Sequence, residues 1–223
     1  MRPLRSRVPF TIGLFVLAAS IVSSQALLVT TNGDLPPGDL ADPIEALMMP
    51  GGQRVSVADT TIEFWWVKTL PLTSETHDVS WGSVDEGTLV GSVMLSAPYP
   101  DARGRMVPAG LYTLRYGSQP QTADRSGVSR SRDFLLLSPA GADDKTSPLD
   151  HDDVVALARQ TPGAAYPLEW SIDPPAAAGT SGSTRPVDGG QTAMIVALPA
   201  SRDGRDAGTL TFRLVLAGTI QPR

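Results

Sequence analysis

Glycine and proline interrupt this chain so often that long helices have no room to form. There are 21 glycines and 20 prolines among the 223 residues, above the roughly 12% of an average protein. Each of them favours a turn, because glycine accepts positive φ and proline lacks a backbone N–H. Many of the short stretches between them are rich in β-branched and aromatic residues. The pattern predicts a mainly β fold.

The best-patterned strand follows a turn at 108–110. Within residues 111–116, Tyr112, Leu114 and Tyr116 share one face of the strand, and the intervening residues share the other. Further strands are expected at 54–57, 61–67, 88–95, 132–137, 168–172, 192–198 and 209–217. Seven to nine short strands of this kind predict an antiparallel β-sandwich.

One short helix should pack on this sandwich. Asp150 is a good N-cap, and Leu149 and Val154 have the spacing of a hydrophobic staple. We expect the helix to run over about 151–160 and to stop before Pro162.

Two stretches look less regular than the rest. Residues 27–52 combine turn residues with a single helical turn at Pro43 and are interpreted as a leader or linker. The sandwich domain is then expected over 53–223. Within it, residues 174–191 have the composition of a linker, which leaves open whether they order on binding.

The first 26 residues have the three regions of a signal peptide. Basic residues precede an uncharged apolar run at 8–22, and Ser24 and Ala26 provide the small residues of a cleavage site. Cleavage predicts a mature chain that begins at Leu27, in the periplasm or outside the cell. The alternative is an uncleaved N-terminal helix that anchors the protein to the membrane.

Charge and cysteine content narrow the possible partners. Removal of Arg2, Arg5 and Arg7 changes the net charge from −5 to −8. Nucleic acid is disfavoured, because phosphate binding needs a basic surface. The chain has no cysteine, so an exported form depends on its core and not on disulfides for stability. A bacterial exported protein fits this composition.

The stretch 107–116, with its Pro-Ala-Gly-x-Tyr-Thr-Leu core, resembles exported bacterial β-sandwich proteins of uncharacterised function. The order of later features is similar too: a strand at 132–137, a helix near 153–160 and a strand at 168–172. The resemblance covers about the middle half of the chain. It implies an exported β-sandwich and no particular chemistry.

Aromatic residues are the first candidates for a binding surface. Trp65 and Trp66 are adjacent on one strand and must point to opposite faces, so we expect one of them outside the main core layer. With Trp81 and Tyr116 they are candidates for a platform that binds a sugar or a protein. Arg115 is a further candidate, with an outward-facing arginine on an edge strand as the plainer alternative.

Metal and catalytic signals are weak. Asp150, His151 and Asp153 are the best metal candidates, but acidic residues at a helix start are favoured by the helix dipole alone. Zinc is disfavoured, because the chain offers two histidines and no cysteine. No nucleotide-binding or serine-hydrolase motif occurs, so no cofactor and no catalytic residue is predicted.

These observations lead to three functional hypotheses. The first is an exported, non-catalytic β-sandwich that binds a protein or a surface polymer. The second is an accessory subunit of a larger complex, anchored in the membrane by its N-terminal helix. The third is a secreted hydrolase that uses Asp and His residues, of which His77 and His151 are the available histidines.

Overall fold

Strands and tight turns make up most of this computed structural model, which describes residues 27–57, 60–101, 104–119, 132–173, 180–187 and 191–217. The expected signal peptide lies outside these residues. Two α-helices are present in the described part, α1 (Asp42–Glu45) and α2 (His151–Ala158). The strands are β1 (Leu28–Asn32), β2 (Gly52–Val57), β3 (Thr60–Trp66), β4 (Leu70–Leu72), β5 (Leu89–Leu95), β6 (Tyr99–Pro100), β7 (Met106–Val107), β8 (Gly110–Ser118), β9 (Asp133–Pro139), β10 (Leu168–Asp173), β11 (Thr184–Val187), β12 (Gln191–Arg202) and β13 (Arg205–Ala217).

One long sheet contains almost all of these strands. Its order is β1-β2-β3-β5-β8-β9-β10-β13-β12-β11, and every neighbouring pair along this path is antiparallel. β4 adds a short parallel pairing to β12, and β6 and β7 form a separate hairpin. In the described part of the chain, β1 and β11 are therefore the two ends of the path.

The sheet folds over at β10, which belongs to both halves. Residues 168–171 pair with β9, whereas Ile172 and Asp173 pair with β13. Side chains from the two halves meet inside: the Trp66 ring on β3 packs edge-on against Phe212 on β13, with ring centroids 5.9 Å apart. The predicted antiparallel β-sandwich is confirmed, with the apolar core between the two halves.

Period-two alternation explains why these segments pack as strands. On β8, Tyr112, Leu114 and Tyr116 all lie in the main core, as their spacing predicts. β9 is buried on both faces, as its unbroken apolar run predicts. One face meets the main core, and on the other Phe134 and Leu136 pack against the helix.

The helix α2 covers the outer face of β9. Val154 and Ala158 contact Phe134 and Leu136, and Leu149 packs beside them as the staple predicts. Asp150 occupies the N-cap position, although its side chain makes no capping hydrogen bond. The one short packed helix is thus confirmed, ending two residues earlier than expected.

The interpretation of residues 27–52 as a leader differs from the structure. Leu28–Asn32 forms β1, which pairs with β2 over five residues. Leu40, Ile44 and Met48 are buried in the same core as the sandwich strands. Apolar burial therefore brings this turn-rich stretch into the fold despite its composition.

Two further expectations need correction or remain open. Part of the linker-like stretch is a strand, because β11 pairs with β12, while residues 174–179 and 188–190 lie outside the described part. The last two long strands extend further than expected, to Arg202 and from Arg205, so their turn is only Asp203–Gly204.

No helix in the described residues combines the length and apolar character that a membrane span requires.

Candidate functional site

The aromatic candidates are all buried. Trp65, Trp66, Trp81 and Tyr116 are between 2% and 7% exposed. Trp66 stacks on Phe64 with ring centroids 5.3 Å apart, and Trp81 stacks on Tyr116 at 4.8 Å. Their rings fill the interior, so these four residues do not form an exposed platform.

Trp65 is the member of the pair that points away from the main layer, as strand alternation requires. It lies on the outer face of β3, where its indole N–H donates to the carbonyl of Asp34 at 3.2 Å. The chain that follows β1 thereby covers the ring. Trp65 is thus buried, and this segment contacts its indole N–H.

Arg115 is completely buried in a closed ionic centre. Its Nε and Nη2 donate to the two carboxylate oxygens of Asp143 at 2.8 and 2.7 Å. The other guanidinium N–H groups donate to the carbonyls of Gly87, Lys145 and Ser147. All five donors of the guanidinium are thus used. The alternative of an outward arginine on an edge strand is wrong, because β8 lies between β5 and β9.

Asp143 is equally well satisfied. Besides Arg115, it accepts a hydrogen bond from the Thr113 hydroxyl at 2.5 Å and one from the Lys145 amide at 3.3 Å. The centre ties β8 to the loop that leads into α2, and through Gly87 to the turn before β5. Its geometry serves the structure, since no donor or acceptor is left for a substrate.

The metal candidates lie at the surface beside this centre. His151 Nδ1 is 2.8 Å from Glu86 Oε1, with 56% of the His151 side chain and 29% of the Glu86 side chain exposed. Within the described residues, no three His, Asp or Glu side chains are grouped as metal ligands. Asp150, His151 and Asp153 therefore share the start of a helix and do not form a coordination shell.

A polar network at the other end of the sheet was not foreseen from the sequence. Asn32 Nδ2 donates to Glu63 Oε1 at 2.8 Å, and Asn32 Oδ1 accepts from the Gly52 amide at 2.7 Å. Arg54 donates to the same Glu63 carboxylate and forms an ion pair with Asp34. Glu63, by hydrogen bond and charge, raises the pKa of Arg54. This network holds β1 at its register on β2.

The two ends of the sheet differ in how they are protected. β11 carries Arg185 and Pro186, both exposed, and charge and proline are the usual means by which proteins block edge pairing. β1 has the sequence Leu-Val-Thr-Thr-Asn, with neither charge nor proline. Leu28 at its start is 66% exposed. Of these two ends β1 is the less protected, although the Leu27 carbonyl just before it accepts a hydrogen bond from the Thr184 hydroxyl at 3.3 Å.

A shallow cleft lies at the hairpin between β12 and β13. Its volume is about 430 Å³, and it is lined by Thr69, Pro199, Ala200, Ser201, Gly204 and Asp206. The lining contains no histidine. Asp206 accepts a hydrogen bond from the Gly208 amide, so its carboxylate also supports the local turn.

Neither family models, curated proteins nor solved structures provide a match to this chain. The resemblance of residues 107–116 to exported β-proteins stays a prediction.

Proposed function

We propose that this protein is an exported, non-catalytic β-sandwich module that binds another protein or a surface polymer. The proposal rests mainly on the buried Arg115–Asp143 pair. All hydrogen bonds of its two charged groups are made to other residues of the protein. The described surface offers instead a sheet edge and a shallow cleft, features suited to binding.

If the protein were a hydrolase, the His151–Glu86 pair would be its candidate catalytic pair. A catalytic pair of this kind needs a nucleophile or an activated water held beside the second imidazole nitrogen. Among the described hydrogen bonds of His151, the only partner is Glu86. The exposed pair also lacks the water-excluding pocket in which electrostatic catalysis is strongest.

The test is purification of the full chain from its own cells, followed by mass spectrometry of its N-terminus and of what it retains in fixed stoichiometry. We expect a chain beginning near Leu27 with a bound protein or polymer, retained equally by His77→Ala and His151→Ala variants. A chain that retains Met1 within a membrane complex would support the anchored subunit instead. Turnover of a substrate that disappears in His151→Ala would make the protein a hydrolase and overturn the proposal.

A further inference from the structure

We propose that β1 is a docking edge that takes up an extended segment of a partner protein by strand addition. The segment is uncharged over the stretch opposite β1 and carries Lys or Arg beyond it. This inference rests on the proposed function, since it specifies how the binding module holds its partner.

Among the described residues, no strand pairs with the outer side of β1, where backbone hydrogen-bonding groups can meet such a segment. The Val67 amide donates to Val90 on β5, so alternation turns Ile62 and Phe64 toward β2, where they pair with Val55 and Gln53. The alternate residues of β2 then face β1, in the pairs Asn32–Gly52, Thr30–Arg54 and Leu28–Ser56. Alternation then turns the N–H and C=O groups of Val29 and Thr31 to the opposite side. No strand of the described chain pairs with that side.

The edge is held ready for pairing. Asn32 and Arg54 both bind Glu63 on β3, which fixes the end of β1 to the two strands beneath it. An ordered template lowers the entropy that a partner must lose on binding. In strand addition, main-chain hydrogen bonds supply affinity and alternate side chains supply specificity.

The charge of the segment that contains β1 indicates which partner segments it favours. Residues 27–53 contain Asp34, Asp39, Asp42 and Glu45 and no basic residue. The first basic residue after this stretch, Arg54, is already paired with Glu63 and Asp34. The segment 27–53 is therefore acidic, with Lys68 as a basic neighbour at Ala46, and its net negative charge favours cationic flanks on the partner. A second copy of this chain brings the same acidic residues, so it is disfavoured as the occupant.

The experiment uses the full chain and a synthetic peptide of five alternating Val and Thr residues flanked by two lysines on each side. Binding is followed by NMR shifts of backbone amides. We expect changes centred on β1 and β2, and an affinity at least ten-fold lower for Thr31→Pro, whose ring removes an outward N–H without breaking the β1–β2 ladder. Thr31→Val keeps the N–H and should bind as the wild type does.

Three controls separate pairing from unfolding and from charge. Circular dichroism and the melting temperature show whether Thr31→Pro folds, and a peptide N-methylated at alternate residues tests pairing on the unchanged protein. A peptide with glutamate flanks should bind several-fold more weakly. Equal binding of the N-methylated and parent peptides, or self-association that Thr31→Pro abolishes, would overturn the inference.

Cellular photo-crosslinking separates this inference from the proposed function. A benzoylphenylalanine placed at Thr30 should capture a defined partner segment of basic and β-branched composition. Capture of a partner from Ser201 in the cleft but not from Thr30 would overturn the docking edge and leave the binding function standing. Capture of nothing from either position would count against both.

Discussion

Arg115 and Asp143 show at the scale of single residues how a buried charge is kept. Both side chains are fully buried, and removing either partner leaves the other charge uncompensated in the interior. Burying an unpaired charge is far more costly than losing the pair as a whole. The centre is therefore sensitive to single substitutions and tolerant of paired ones.

We predict that Asp143→Ala lowers the free energy of unfolding by about 3–5 kcal/mol. The double variant Arg115→Met/Asp143→Ala should have an unfolding free energy closer to that of the wild type than Asp143→Ala has, because it removes both charges. Urea denaturation of the wild type, Arg115→Met, Asp143→Ala and the double variant gives the coupling energy directly. Additive losses would show that the two side chains do not stabilise each other.

Tyr99 gives a prediction for alkaline pH. Its hydroxyl donates to the carbonyl of Leu216 at 2.6 Å, and burial raises the pKa of Tyr99 to about 12. This value is above the ordinary tyrosine pKa of about 10, which applies to the unfolded chain. The protonated Tyr99 therefore contributes its full share to the free energy of unfolding below pH 10, and this contribution is lost as the pH rises through about 12.

The matching experiment compares Tyr99→Phe with the wild type. At pH 8 we expect the variant to lose about 1 kcal/mol of unfolding free energy, the usual value of one hydrogen bond. Between pH 10 and 12 its stability should fall less steeply than that of the wild type, because the buried group that ionises is gone. Tyr166→Phe, at a position that is 67% exposed, serves as the control and should follow the wild type.

The turn before β5 is a tightly constrained connection between elements. Gly87 has φ of +76°, and a Cβ there would overlap the backbone of Leu149. The Gly87 carbonyl also accepts from Arg115, so this turn, the loop before α2 and β8 meet at one point. Glycine is required here by both conformation and space.

Replacing a glycine in the left-handed conformation typically costs about 1 kcal/mol of unfolding free energy. We predict that Gly87→Ala costs more than this. The loop before α2 must shift to admit the methyl group, which also disturbs the Arg115–Asp143 geometry. Gly141→Ala is the matched control, since a Cβ at Gly141 meets nothing within 4 Å. Thermal unfolding of both variants checks the prediction, and equal melting temperatures would contradict it.

The elements that sequence predicted well are those whose residue pattern alone shows which faces are buried: alternation in β8 and β13, an unbroken apolar run in β9 and helical spacing in α2. β8, β9 and β13 and the helix α2 were predictable because local spacing decides which face is buried. β1 was missed because its turn-rich surroundings hid a short β-branched run, Val29–Thr31, which was the signal that could have found it. The pairing of Arg115 with Asp143 depends on sheet order, and local spacing carries no information about sheet order.

At the scale of the whole molecule, β10 makes the two halves of the sandwich one sheet. Its first residues pair with β9 and its last with β13, so neither half has an independent set of strands. Phe212 joins the halves from inside, contacting Trp66 on β3 and Trp81 before β5. Sequence composition gave the fold class, but which strand is shared between the halves follows from the tertiary pairing alone.

Removal of a core side chain that contacts both halves should destabilise the two halves together. We predict that Phe212→Ala lowers the unfolding free energy by about 3–5 kcal/mol and leaves a single transition. Tryptophan fluorescence and far-ultraviolet circular dichroism should give coincident urea curves, because every Trp is buried in the core and the halves share β10. Thr211→Ala, on the opposite face of β13 and only partly buried, should cost much less. Curves that separate in Phe212→Ala would mean that the halves unfold independently, and β10 would then not couple them.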